Sequence, residues 1–264
     1  HGMLMKKLRM TNIGSSMYNL LYDLYLNQQL NVQVKIGNLL SNKFTCEKGV
    51  RQGDSLSPLL FNLYINDVLK YLNPASDDPC IGTKHISCLF YADDLVLLST
   101  SKCGLQQKIS NLASFCTEND MSINRIKTKI IVFNRAGKKS KDSFKLVNDS
   151  LECCQSYRYL GVTLQCNGRF NNTFTDLSNR ASKAIFKLKR MFNGNVPSFD
   201  TCIHLFDSMV KPILSYGSDI WGAYLFCDNK KKFDYIIKNQ VEKVHQSFLK
   251  YTMGLNRYCP LIGI

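Results

Sequence analysis

The sequence has eleven cysteines but no Cys-x-x-Cys pair; its nearest neighbours are the adjacent Cys153 and Cys154. That spacing suits no zinc site, and an odd count does not suit a secreted disulfide framework. Most of these thiols are expected to be buried in a reducing compartment. No apolar run reaches the roughly 20 residues that a bilayer-spanning helix needs, and the N-terminus lacks a signal-peptide layout, so no membrane role is expected. Acid is also scarce. There are 20 Asp and Glu against 34 Lys and Arg, a formal net charge of +14. Such a balance favours a polyanionic partner, nucleic acid ahead of an anionic membrane surface. Residue 1 is His rather than Met, as expected of a piece of a longer or processed protein.

What is present supports a folded chain. Of the 264 residues 45% are hydrophobic and 11% aromatic, enough for one large domain or two small ones. Met17, Leu20, Leu21, Leu24 and Tyr25 fall at helical spacing within 15–27. Residues 32–36 alternate like a strand, and Gly37-Asn38 predicts a hairpin turn before 43–46. A polar loop runs from Gly49 to Pro58, where Ser57 and Pro58 fit the cap and first position of a helix carrying Leu56, Leu59, Leu60, Leu63, Tyr64, Val68 and Leu72. After a loop over 73–84 come two short apolar strands, Cys88 to Ala92 and Leu95 to Leu98, which look buried. Leu105, Ile109, Leu112 and Cys116 mark an amphipathic helix, and 129–133 a strand. A basic loop (135–143) and strands near 144–147 and 157–164 follow, then helices over 175–192, 198–214 and 233–250. The change from mixed elements to helices alone puts a domain boundary near residue 170.

Tyr91-Ala92-Asp93-Asp94 is the most informative segment. Asp is common at turns for local reasons. Two adjacent carboxylates beside a core, however, repel and desolvate badly, and a divalent cation would relieve both costs. Carboxylate oxygens are what Mg²⁺ prefers, and a hairpin tip holds them rigidly enough for metal-assisted phosphoryl transfer.

Four segments together carry a family resemblance: FYADDLVLLS (90–99), GVRQGDSLSPLLFNLYINDVL (49–69), INRIKTKIIVF (123–133) and YLGVTL (159–164). In this order and spacing they resemble the reverse-transcriptase domain of non-LTR (LINE-type) retrotransposons. The resemblance implies an α+β right-hand polymerase: an incomplete palm and partial fingers over 1–170, then a helical thumb and post-polymerase segment over 171–264. It implies RNA-directed DNA synthesis with an RNA template, a DNA primer, dNTP substrate and two Mg²⁺ ions, and residence in the nucleus or cytoplasm.

It also implies roles. Asp93 and Asp94 would be metal-binding carboxylates, Asp93 the more essential. Tyr91 and Ala92 would lie near the primer end. Arg51, Gln52 and Gly53 would help form the nucleotide pocket, where Gly53 lets backbone approach a ligand closely; the same residues could be only a polar loop before a helix. Lys127 would face the leaving pyrophosphate or be a solvated lysine at a strand edge. Leu160 and Gly161 would support the primer backbone, or Gly161 would simply mark a turn.

In the tail, Leu177, Ala181, Ile185, Leu188 and Phe192 form one helix face. Arg180, Lys183, Lys187 and Arg190 form another, a basic stripe without acidic partners that can follow a phosphate backbone. ILSYGSDIWG (213–222) and QVEKVHQSFLKYTMG (240–254) resemble segments found after the polymerase in LINE-type proteins. Trp221 is read as a core anchor, and Lys230 to Lys232 as a solvated turn. The family's first catalytic aspartate is expected before residue 1, so the chain alone is expected to extend a primer little or not at all. Two other readings stay open: a catalytically dead remnant, and a maturase-like domain that only binds nucleic acid. The 213–254 resemblance disfavours the maturase-like one.

Overall fold

The computed structural model describes residues 1–27, 31–46, 48–72, 77–226, 240–256 and 258–259. The reading of 230–232, and the start of the helix expected from 233, lie outside them. The chain forms two compact units, residues 1–128 with 142–151, and residues 129–141 with 152–264.

In the first unit, α1 (Gly2–Arg9) and α2 (Ser15–Tyr22) are followed by a π-helical turn, Asp23–Asn27. Their inward residues Leu4, Met5, Leu8, Leu21 and Tyr25 make a core with Leu60. Met17 and Leu20, expected on the apolar side, are exposed. The expected hairpin forms as two ladders: β1 (Asn31–Val32) with β4 (Phe44–Thr45), and β2 (Lys35–Ile36) with β3 (Leu39–Leu40) across Gly37-Asn38. α3 (Ser57–Ile65) and α4 (Val68–Tyr71) divide the long helix expected there. Ser57 is a helical residue rather than the cap, and its buried hydroxyl has no partner. Asp54 instead accepts a hydrogen bond from the Leu56 N–H (3.2 Å) and turns the chain into the helix.

Two small hairpins follow, β5 (Cys80–Ile81) with β6 (Lys84–His85), and β7 (Cys88–Tyr91) with β8 (Asp94–Leu97). α5 (Lys102–Glu118) is capped by Ser101, whose hydroxyl accepts from the Gly104 N–H at 2.9 Å. It packs Phe115 and Cys116 against Val68 and Leu72. The buried ammonium of Lys7 ties α1 to this region, donating to the Tyr64 carbonyl (2.6 Å) beside Asp67 (3.1 Å). Hydrogen bonds from Lys70 and Lys7 hold the Asp67 carboxyl below its ordinary range.

The second unit begins with β9 (Lys129–Ile130). The expected strand 129–133 is only two residues long, and Phe133 is exposed. β10 (Phe144–Leu146), which belongs to the first unit, pairs antiparallel with β11 (Asp149–Cys153), whose last two residues belong to the second and pair parallel with β9. That parallel pair, Glu152↔Lys129 and Cys153↔Ile130, brings 129–141 together with the chain after 152. By contact, 129–141 and 152–170 group with the helices rather than with the first unit.

β12 (Ser156–Tyr159) and β13 (Val162–Gln165) form a tight hairpin. α6 (Asn171–Phe192) then packs Leu177, Ala181, Ile185 and Leu188 inward. Its partners come from α7 (Phe199–Met209), α8 (Lys211–Leu214), α9 (Ser218–Phe226) and α10 (Gln240–Thr252). Leu188, Cys202, Val210 and Phe248 are fully buried there, each large apolar side chain contributing about 1.5–3 kcal/mol. All described cysteines are free thiols, but only four of those ten are buried, fewer than expected. The described residues include no helix long and apolar enough to cross a membrane.

Candidate active site and nucleic-acid interface

The hairpin β7–β8 pairs Tyr91 with Asp94, so its two-residue tip is Ala92-Asp93, and Asp94 is the first residue of β8 rather than part of the turn. Ala92 takes φ +52°, a left-handed conformation that costs a residue with a Cβ about 1–2 kcal/mol. Strain of this kind at a loop tip is characteristic of functional sites. Tyr91, Ala92, Asp93 and Asp94 are all exposed.

The expectation of buried flanking strands fails. Leu89 and Tyr91 are 47% and 64% exposed, because no third strand among the described residues pairs with this ribbon. Both carboxylates are therefore open to solvent rather than set beside a core.

A bare two-stranded hairpin is marginal in water, and this one is fastened at its base. Lys108, on α5, and Asp78 form an ion pair with side chains 5% and 0% exposed. The Lys108 ammonium also donates to the Leu98 carbonyl and, at 3.4 Å, to that of Ser87. Ser87 Oγ donates to the other oxygen of Asp78. Ser87 and Leu98 flank the ribbon and are bonded to each other, Leu98 N–H to Ser87 C=O, at 2.8 Å. One buried cation thus joins both feet of the hairpin that carries Asp93 and Asp94. Sequence reasoning missed it, although the signal was there: Lys108 lies three residues after Leu105 and four before Leu112, on the apolar face of its helix.

Arg51, Gln52 and Gly53 form a turn in which the Asp54 N–H approaches the Arg51 carbonyl at 3.5 Å. Gly53 has φ +88°, so glycine is required there. The side chains of Arg51 and Gln52 are exposed. Lys127 is not at a strand edge: it lies in a turn before β9. Asn124 builds that turn by accepting from the Lys127 N–H (3.1 Å) and the Thr128 N–H (2.9 Å). These residues belong to the first unit, as does the acidic hairpin.

Leu160, Gly161 and the basic stripe belong to the second. Leu160 (φ +44°) and Gly161 (φ +83°) form the tip of β12–β13. The Tyr216 hydroxyl donates to the Leu160 carbonyl at 2.8 Å, and a Cβ on Gly161 would come within 2.8 Å of that ring. Trp221 Nε1–H in turn donates to the Tyr216 carbonyl (2.9 Å) while its ring stands edge-on to Phe174. Trp221 is therefore a core anchor, as expected. Its segment clamps the hairpin tip, a role not read from the sequence. Tyr216→Phe is expected to cost about 1 kcal/mol in chemical denaturation, with an unchanged helical signal; no change would mean that water replaces the bond.

Arg180, Lys183, Lys187 and Arg190 are exposed along α6. The stripe does have an acidic partner, contrary to expectation: Asp176 lies 3.7 Å from Arg180 and 3.5 Å from Arg158. Replacing all four stripe residues by Gln is expected to lower the salt dependence of duplex binding by about 3 units, the paired Arg180 counting least. An unchanged slope in a salt titration would remove the stripe from the interface.

With this geometry established, comparison with known proteins identifies the class. The family model described as "Reverse transcriptase (RNA-dependent DNA polymerase)" matches residues 1–164, more than half of the chain. The chain belongs to the reverse transcriptase family. Within it, the likeness is to non-LTR retrotransposon proteins. The chain is 29% identical over 177 residues to the Pol polyprotein from type-1 retrotransposable element R2 of Nasonia vitripennis, covering 64% of this chain and 17% of that protein. It is 25% identical to the RNA-directed DNA polymerase from mobile element jockey of Drosophila melanogaster, covering 66% and 19%. With the probable RNA-directed DNA polymerase from transposon X-element of the same fly it shares 23% identity, over 80% and 23%. The chain thus spans less than a quarter of the length of these relatives. The mixed helices and small sheets agree with an α+β class, and the family generally uses divalent metal ions.

Proposed function

We propose that this chain is part of an RNA-directed DNA polymerase of a non-LTR retrotransposon, with Asp93 and Asp94 at the growing end of the DNA. The observation that carries the reading is a fastened hairpin presenting two neighbouring carboxylates to solvent at a strained tip. In this reading residues 1–170 are palm and partial fingers, and 171–264 are the thumb and a post-polymerase segment. The work would be intracellular, in the nucleus or the cytoplasm, the nucleus following from the family resemblance alone.

The reaction would join the primer 3′-oxygen to the α-phosphorus of a dNTP, break the bond to pyrophosphate and release the hydroxyl proton. Asp93 and Asp94 offer hard oxygen donors, and Mg²⁺ is commonly held by one or two carboxylates together with substrate phosphates and water. When bound, two such ions would supply charge neutralisation at the attacking and leaving oxygens. Tyr91 and Ala92 would lie against the primer terminus. The turn at Arg51, Gln52 and Gly53 would let backbone approach the incoming nucleotide, and Lys127 would neutralise the departing pyrophosphate. Leu160 and Gly161, held by Tyr216, would support the primer strand, and the stripe on α6 the duplex.

The test is RNA-templated dNTP incorporation by a polyprotein containing this chain, with Asp93→Asn as the variant that must fall silent.

A further inference from the structure

A second basic site lies on the far side of α6 from the stripe. Successive residues of a helix are about 100° apart. Lys189 therefore projects about 160° from Lys187 and about 100° from Arg190, towards α10. There Lys189, Lys243, Gln246, Ser247, Lys250, Tyr251 and Leu255 line an open cavity of about 350 Å³. Three of the seven are lysines, and Gln246, Ser247 and Tyr251 add neutral polar groups. No carboxylate lines it. The nearest on the same helix, Glu242, is engaged by Gln246 (3.4 Å) and lies 3.7 Å from His245.

Two of the three lysines are positioned rather than splayed. The Lys189 ammonium sits 4.0 Å from the centroid of the Tyr251 ring, an arrangement that fixes a long side chain. Lys250 donates to the Cys259 carbonyl. Burial lowers the Lys189 pKa from its ordinary value, so its charge is partly desolvated and a neighbouring anion would gain more than at an open surface.

We infer that this cavity binds phosphate groups of a flexible single strand of nucleic acid, separately from the duplex-facing stripe. The concavity decides for a single strand: a duplex presents a convex, stiff backbone that suits the row of Arg180, Lys183, Lys187 and Arg190. An unpaired strand can bend one or two phosphates into a hollow and set a base beside an aromatic ring. Template ahead of or behind the primed region has that character. The inference rests on the nucleic-acid-binding reading above and adds a second strand path to it.

The test compares the wild-type chain, the four-Gln stripe variant and Lys189→Gln/Lys243→Gln. Lys250 is kept, because it holds the Cys259 carbonyl. Binding of a labelled 15-nucleotide oligo(U) and of an RNA–DNA duplex is followed against KCl. The pocket variant should lose about 1.4 units of salt slope for oligo(U), at about 0.7 per phosphate contact, and keep the duplex slope. Sodium tripolyphosphate should compete with oligo(U) before it competes with duplex. An unchanged oligo(U) slope, or an equal fall for both ligands, would overturn the inference. Absence of duplex binding by the wild-type chain would instead sink the nucleic-acid reading itself. Lysine acetylation footprinting on the wild-type chain guards against a variant that misfolds. Lys189 and Lys243 should be shielded by oligo(U), and their continued labelling would count against the site.

Discussion

Lys108→Ala is expected to destabilise the protein by about 3–5 kcal/mol, because it leaves the Asp78 carboxylate buried without its cation. Against a typical total of about 5–15 kcal/mol that is enough to unfold a large share of molecules near 37 °C. The size follows from the surroundings: both side chains are almost fully buried, so neither charge can turn to water. Replacing both, Asp78→Leu with Lys108→Met, removes the stranded charge and should recover much of the loss. It should not recover all of it. The Leu98 carbonyl loses the Lys108 donor, and Ser87 Oγ loses its acceptor, each worth about 1 kcal/mol or more when left unpaired. The coupling energy from the double-mutant cycle separates pair from packing. Urea unfolding of the four proteins reads it, and amide exchange at Leu98 shows whether the feet of the hairpin open first. A cost below about 1 kcal/mol for Lys108→Ala would mean that the pair is not the fastening described.

This fastening also shows where sequence reasoning ended. The helix under it was legible from Leu105, Ile109, Leu112 and Cys116, and the hairpin from two short apolar runs around two acids. Lys108 escaped because a lysine on an apolar face is ordinarily taken to extend its head to water, and its partner Asp78 lies 30 residues away in a loop with no periodicity to mark it. The tip was misplaced by one residue for a different reason. Left-handed turn positions are read from Gly or Asn, yet here Ala92 takes one, so Asp94 enters the strand. The strand suggested by the apolar run 129–133 starts where expected, after a turn that Asn124 closes over Lys127, but stops at Ile130 and leaves Phe133 exposed. The strand Asp149–Cys153 was readable and was missed, since Leu151 and Cys153 are buried while Ser150 and Glu152 are exposed, an alternation of period two. The strongest functional signal, the acidic hairpin, depended on four motifs in order rather than on any local pattern.

Asp93→Asn is expected to lower RNA-templated extension by about three orders of magnitude or more, when assayed in a polyprotein that contains this chain. The substitution keeps shape and exchanges one carboxylate oxygen for an amide. Asp93 is exposed at the tip, so the fold should hardly notice, with a stability change within about 0.5 kcal/mol. A loss of that size in rate corresponds to about 4 kcal/mol of transition-state stabilisation, the scale on which a preorganised charge at the reacting phosphate acts. Two measurements made together decide the matter. Single-turnover incorporation should collapse while the thermal midpoint and duplex affinity stay put, because in the proposed reading the stripe on α6 rather than the hairpin carries the binding. Asp94→Asn, one position along in the strand, should cost less, since Asp93 alone occupies the tip. If Asp93→Asn incorporates nucleotide at near the parental rate, these carboxylates are ordinary turn residues; if it loses midpoint and rate in parallel, the hairpin is a folding element and the chemistry lies elsewhere.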